Sequence, residues 1–163
     1  MDYVDLMLIH HQTDDAVEIW RGLLDAKAQG LCKHIGVSNF ERPQIEALER
    51  ATGARPALNE VEFHPFVDGA ARTLVAWCLD HGIAVTAFNS LGGSKNQGAS
   101  DAVAAVAKTR HTSPAAVLLR WALDQGVAVI PGATSADQGT PARRASRTRE
   151  RASPRRRRRV LRT

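Results

Sequence analysis

Gly30-Leu31-Cys32-Lys33-His34-Ile35-Gly36-Val37-Ser38-Asn39-Phe40 is the stretch whose reading decides the fold. Residues 34–37 form a short, largely β-branched run that reads as a strand, and Ser38 with Asn39 ends it in side chains that favour turns. Upstream, residues 14–29 place Val17, Trp20, Leu24 and Ala28 on one helical stripe with acids in the first turn, so Gly30 reads as a helix stop. Polar opening, amphipathic helix, glycine, strand and polar exit make one unit, and the unit recurs.

Before it, residues 4–9 read as a strand ending at His10. After it, Pro43 suits a first helical turn, Ile45 and Leu48 mark a buried face, and Gly53 marks the exit. Residues 57–61 read as a third strand running into Glu62, Phe63, His64 and Pro65. A helix over 70–81 follows, with Leu74, Trp77 and Cys78 facing inward and Gly82 closing it, then a strand over 83–88 and a loop over 91–98. Ser113 and Pro114 start a helix over 115–125, Gly126 stops it, and a strand over 127–130 breaks at Pro131. Strand–helix alternation with apolar strands predicts an α/β fold, a parallel sheet with helices outside.

The net charge of +5 averages two unlike regions. Residues 1–138 hold 11 Lys and Arg against 16 Asp and Glu, net −5, whereas residues 139–163 hold 11 Arg and one Glu, net +10. The reading is a folded body over 1–138 and a disordered basic tail over 139–163, which has no apolar periodicity from which to build a core. Its Arg, Pro, Ala and Gly content fits a reading-frame slip in a GC-rich gene. The body has no basic stripe and no aromatic interleaves with the tail arginines, so nucleic acid is expected as a partner only through the tail. No apolar stretch approaches the roughly 20 residues that span a bilayer, and the N-terminus lacks a secretory pattern, so no membrane partner and a cytoplasmic location are expected. Cys32 and Cys78 lack metal-ligand spacing and read as buried free thiols.

Ligands in parallel α/β folds bind beyond the carboxyl ends of the strands. The residues to weigh are therefore His10, Ser38 with Asn39, Glu60 with Glu62, Phe88 with Asn89, and the turn at Pro131 and Gly132. Hydrogen-bonding groups at the first three exits and an aromatic face at the fourth suit a flat heteroaromatic ligand carrying an amide. Alternatives stand beside that reading. His10 would satisfy backbone groups at a strand end, Ser38 and Asn39 would make a local turn, and Phe88 would be a core residue.

The strings Asp2-Tyr3-Val4-Asp5-Leu6-Met7-Leu8-Ile9-His10, Gly36-Val37-Ser38-Asn39-Phe40, Asn59-Glu60-Val61-Glu62-Phe63-His64-Pro65 and Leu118-Leu119-Arg120-Trp121-Ala122-Leu123, followed by Val129-Ile130-Pro131, closely resemble the aldo-keto reductases. The resemblance covers about residues 2–136 and implies strands four to eight of a (β/α)8 TIM barrel, about five β/α units. A closed barrel takes about 250 residues, so a shortened form is expected, with open sheet edges and an aggregation-prone monomer unless a partner supplies the first strands.

The resemblance further implies NADPH, or NADH, as cofactor and a small carbonyl substrate, an aldehyde or ketone reduced to an alcohol. His10 corresponds to the histidine that orients the substrate carbonyl, and Ser38 with Asn39 to the pair that holds the nicotinamide carboxamide. Glu60 stands where the family usually has glutamine against the same group; a carboxylate accepts from the amide NH2 but cannot donate to its oxygen. Phe88 takes the place of the tyrosine that stacks on the nicotinamide. Asn89, Leu91 and Gly92 lead into the loop that covers the pyrophosphate, to which Gly93 and Lys95 also belong. His11 replaces a usual tryptophan and, as a strand neighbour of His10, is expected to point away, which argues against a two-histidine metal site.

Glu62 and His64 read as structural. Of the cofactor's 2′-phosphate grip, the first two positions hold Gly132 and Ala133. The family's aspartate, tyrosine and lysine of catalysis precede the first strand read here, and Tyr3, the sole tyrosine, lies within that strand's string. The competing readings are therefore a reductase, a non-catalytic nicotinamide-nucleotide module, and an arginine-rich nucleic-acid binder.

Overall fold

A computed structural model describes residues 2–92 and 101–132. The chain runs β1 (Val4–Ile9), α1 (Ala16–Ala28), β2 (Cys32–Ser38), α2 (Arg42–Thr52), β3 (Leu58–Glu62), α3 (Gly69–Asp80), β4 (Ala84–Phe88), α4 (Asp101–Thr109), α5 (Pro114–Asp124) and β5 (Ala128–Val129). The five strands form one parallel sheet in sequence order, as expected for successive β/α units.

Local chemistry sets the element ends. Asp68 accepts from the Ala71 N–H at 2.8 Å and Ser113 from the Ala116 N–H at 3.2 Å, each satisfying a helix donor that the backbone leaves free. Gln44 reaches back to the Glu41 N–H at 2.7 Å to start α2, and Gly53, at φ 72°, ends it in a left-handed turn.

Register pairs place alternate residues on opposite faces. Ile9 opposite Val37, Met7 opposite Ile35, Asn59 opposite Val85 and Val61 opposite Ala87 share the face covered by helices. There Ile9, Ile35, Val37, Val61, Val85 and Ala87 join Trp20 of α1, Ile45 and Leu48 of α2, Val75 and Cys78 of α3 and Ala122 of α5 in one core. Each fully buried large aliphatic side chain contributes roughly 1.5–3 kcal/mol of hydrophobic stabilisation. The opposite face carries Leu6 and Leu8 on β1, His34, Gly36 and Ser38 on β2, Glu60 and Glu62 on β3, and Thr86 and Phe88 on β4. Among the described residues β1 pairs on one side only, and its Val4, Leu6 and Met7 stand exposed.

Several expectations need correction. Helix α4 has no counterpart in the periodicity reading: its inward residues are Val103 and Ala107, with Val106 outside, and an alanine-rich helix offers little contrast between faces. The fifth strand shrinks to two residues, although the Ile130 N–H still donates to the Ala87 carbonyl at 2.9 Å. Ala28 is exposed rather than on the buried stripe of α1, and Leu74 and Trp77 are half-buried at the rim of the core. Cys32 and Cys78 are buried free thiols. Gly93, Lys95, Ala133 and the basic tail lie outside the described residues.

Candidate functional site at the strand exits

The carboxyl ends of β1 to β4 bring His10, Ser38, Asn39, Glu60, Glu62, Phe88 and Asn89 to one rim of the sheet. His10 follows the last β1 register pair, Ile9 opposite Val37, which sets it level with Ser38. Its ring is exposed and stacks on that of His11, centroids 4.0 Å apart and 27° between planes. His11 therefore does not point away. Strand alternation governs residues inside the ladder, and β1 ends at Ile9, so the two rings are free to meet. Among the described residues no group of three or more metal-ligating side chains converges.

Ser38 is 1% exposed, and its hydroxyl donates to the Glu60 carbonyl at 3.1 Å while accepting from Asn39 Nδ2 at 3.0 Å. The Asn39 N–H donates to the same Glu60 carbonyl at 2.9 Å, with Asn39 at φ 59°, a left-handed conformation that asparagine tolerates better than most residues. On the other face, buried Asn59 donates to the Phe40 carbonyl at 2.8 Å. The β2 exit is thus clamped from both sides. The Ser38 hydroxyl is largely consumed by this turn. Asn39, exposed, keeps its Oδ1 acceptor and one N–H donor outside these bonds.

Glu60 is half-buried, and its carboxylate makes no hydrogen bond or ion pair among the described residues. Glu62, two residues on along the same face, is held: Asn89 Nδ2 donates to its Oε1 at 2.6 Å and His64 Nε2 approaches the same oxygen at 3.0 Å. The Phe66 N–H donates to His64 Nδ1 at 3.2 Å, so the ring proton sits on Nε2, directed at Glu62. The hydrogen bonds from Asn89 and His64 hold the Glu62 carboxyl below the usual carboxylate range. Glu62 and His64 thus form a network that fixes a second charge at the rim and takes up the Asn89 amide. The period of two that selects Glu60 selects Glu62 as well, and is the signal by which sequence reasoning finds it.

Phe88 lies opposite Glu62, half-buried, with part of its ring accessible. Leu91 is half-buried, and the Gly92 N–H donates to the Asn89 carbonyl at 2.8 Å, closing a turn, so this amide is not free for a phosphate. Tyr3 lies at the other end of the strands, where its hydroxyl accepts from Lys33 Nζ at 2.8 Å and Lys33 also pairs with Asp5. Grooves of about 610 Å³ between α2 and α3, and about 390 Å³ between α3 and α5, lie among helices and away from His10 and Ser38. Asn39 and Glu60, whose side chains keep unused bonding capacity, share this rim with the exposed His10, which makes the rim the candidate site.

This rim offers an acceptor and a donor on Asn39, an unpaired carboxylate on Glu60, an aromatic face on Phe88 and two ring nitrogens on His10. A carboxamide needs an acceptor for its NH2 and a donor for its oxygen. Glu60 and Asn39 Oδ1 offer acceptors, and the remaining Asn39 N–H offers a donor.

The description "Aldo/keto reductase family" belongs to the family whose sequence pattern matches residues 1–149. The chain is 38% identical over 147 residues to methylglyoxal reductase DkgA of Yersinia pestis, covering 88% of this chain and 50% of that protein. It is 40% identical over 138 residues to methylglyoxal reductase DkgB of Salmonella typhimurium, covering 82% of this chain and 51% of that one. An aldo-keto reductase of Bombyx mori, solved in complex with NADP, superposes with a TM-score of 0.77 at 32% identity over 89% of this chain and 52% of its own. The chain spans about half the length of the relatives it matches.

Proposed function

Because the chain belongs to the aldo/keto reductase family, we propose that its strand-exit rim takes part in NAD(P)H-dependent reduction of a small aldehyde or ketone to an alcohol. The observation that carries this is the complementary donor and acceptor set of Asn39 and Glu60, beside the Phe88 ring and level with His10. NADPH, or NADH, bound there supplies a hydride. Asn39 orients the carboxamide, Glu60 accepts from its NH2, and Phe88 offers its face to the ring. Ser38 acts through the turn it holds. His10 donates from a ring nitrogen to the substrate carbonyl oxygen, polarising it. The cytoplasm suits the two free thiols.

A second reading is a nicotinamide-nucleotide module that binds without turnover. It is favoured by Tyr3, which sits at the strand starts bonded to Lys33 and cannot hand a proton to a carbonyl at the exits. Calorimetric titration with NADPH, followed by NADPH consumption in the presence of methylglyoxal, separates the readings. Consumption that is lost in His10→Ala while NADPH binding persists supports the reductase. Saturable binding without consumption supports the module. Absence of binding refutes both.

A further inference from the structure

We propose that Glu60 makes the strand-exit rim discriminate between oxidation states of the nicotinamide cofactor, favouring the cationic oxidised form. This rests on the reading of the rim as a nicotinamide site.

Glu60 is flanked in register by Ser38 on β2 and Thr86 on β4, and Ser38 and Asn39 both bond its main-chain carbonyl, so its backbone is fixed. Its side chain is not. The carboxylate is half-buried and has no hydrogen bond or ion pair among the described residues. A half-buried carboxylate without an internal partner keeps its bonding capacity for water, or for a cation or donor that a ligand brings. Among the described residues, the charged group next along the same face is Glu62, itself negative and already bonded to Asn89 and His64. Neither glutamate has a lysine or arginine partner among the described residues.

The carboxamide is common to both oxidation states, and so are the phosphates. Asn39 therefore contributes similarly to both, whereas the Phe88 face adds a cation–π preference for the oxidised ring that does not depend on Glu60. What differs is the ring, which carries a positive charge when oxidised and none when reduced. Glu60 is a charge aimed at that difference, whereas a glutamine there would supply the same shape and one acceptor without the charge. Screened attraction across a half-exposed site corresponds to about a fivefold preference.

Dissociation constants for NADP+ and NADPH, measured by calorimetry on the whole chain and on Glu60→Gln, test this. The expected result is that the NADPH-to-NADP+ ratio of dissociation constants falls about fivefold in Glu60→Gln, and that Glu60→Asp, which keeps the charge, retains a preference in the same direction. Raising salt on the unsubstituted chain gives a second test that needs no variant. A protein charge that senses the ring makes the preference shrink with ionic strength. Binding of both forms with a ratio unchanged by Glu60→Gln, or a ratio independent of salt, overturns the proposal and leaves the nicotinamide site standing. Failure of both forms to bind overturns the site, and the proposal with it.

Discussion

Gly36 sits where β2 is most crowded, and adding one methyl there measures how tightly the sheet is built. A Cβ at this position would meet the Leu58 carbonyl oxygen at 2.6 Å and Leu8 Cδ2 at 2.7 Å. The leucine methyl can swing aside, but the carbonyl belongs to the backbone of β3. Ordinary contact begins near 3.4 Å, so β2 and β3 must separate locally by about 0.8 Å. They share only two register pairs, Val37 with Asn59 and Ser38 with Glu60. The bonds from Ser38 Oγ and Asn39 N to the Glu60 carbonyl, now 3.1 and 2.9 Å, would stretch past hydrogen-bonding range. Overpacking of this kind costs roughly 1–3 kcal/mol, and alanine returns about 0.5–1 kcal/mol through a less flexible unfolded chain. With the lost bonds to the Glu60 carbonyl adding about 1 kcal/mol, Gly36→Ala is expected to destabilise by about 1–3.5 kcal/mol, read as a lower urea midpoint at unchanged slope. Gly22→Ala is the control: in mid-α1 with nothing within 4 Å of its Cβ, it should stabilise by about 0.5–1 kcal/mol. Equal midpoints for the two variants, or a Gly36→Ala protein as stable as the parent, would refute the close approach of the strands.

Other consequences are measurable in the same way. Asn59→Ala leaves the Phe40 carbonyl without its buried donor and should lower stability by about 1–3 kcal/mol in urea. Ser38→Ala should cost about 1–2 kcal/mol in the same titration with a secondary loss of NADPH binding, whereas Asn39→Gly, which tolerates the positive φ, should weaken NADPH about tenfold with a smaller change in stability. The Glu62 carboxyl, held below its ordinary 4.5, stabilises the fold above that value, and this contribution disappears as pH falls through the lowered folded value. Glu62→Gln should flatten the acid limb of stability against pH, and an unchanged limb would dismiss the network with Asn89 and His64. Cys78, whose thiol burial pushes above its ordinary 9.0, and Cys32 should resist thiol reagents at pH 8 until denaturant is added.

The sheet is legible because its strands are short runs, those of β2 to β5 each preceded by a helix-ending glycine (Gly30, Gly53, Gly82 and Gly126), and their order follows from short crossovers. The exits were legible for the same reason: a strand's end is marked by the first polar residue that breaks its run, as at Ser38 and His10. Side-chain commitments were not. Nothing in Asn89 announces that its amide is taken by Glu62, or that the Gly92 N–H is spent on a turn, because both bonds join residues whose meeting depends on the register of β3 against β4. The stacking of His10 on His11 lies beyond the reach of strand alternation, which ends with the ladder at Ile9. Helix α4 escaped because alanine gives high helix propensity without a stripe.

Asn59 and Glu60 join fold and site most directly. Adjacent on β3, they face opposite ways: Asn59 is fully buried among helices and anchors the Phe40 carbonyl, while Glu60 stands at the rim. A one-residue slip of β3 would exchange them, because side chains alternate with a period of two. The carboxylate would then be buried against an apolar helix face without a partner, at a cost of several kcal/mol, and the Phe40 carbonyl would lose its donor. The register that keeps the asparagine inside therefore also keeps the glutamate at the rim. Its main-chain carbonyl is spent on Ser38 and Asn39, and its carboxylate stays free for a ligand because no described residue claims it. The chemistry available at this site is what the strand clamp leaves unbonded.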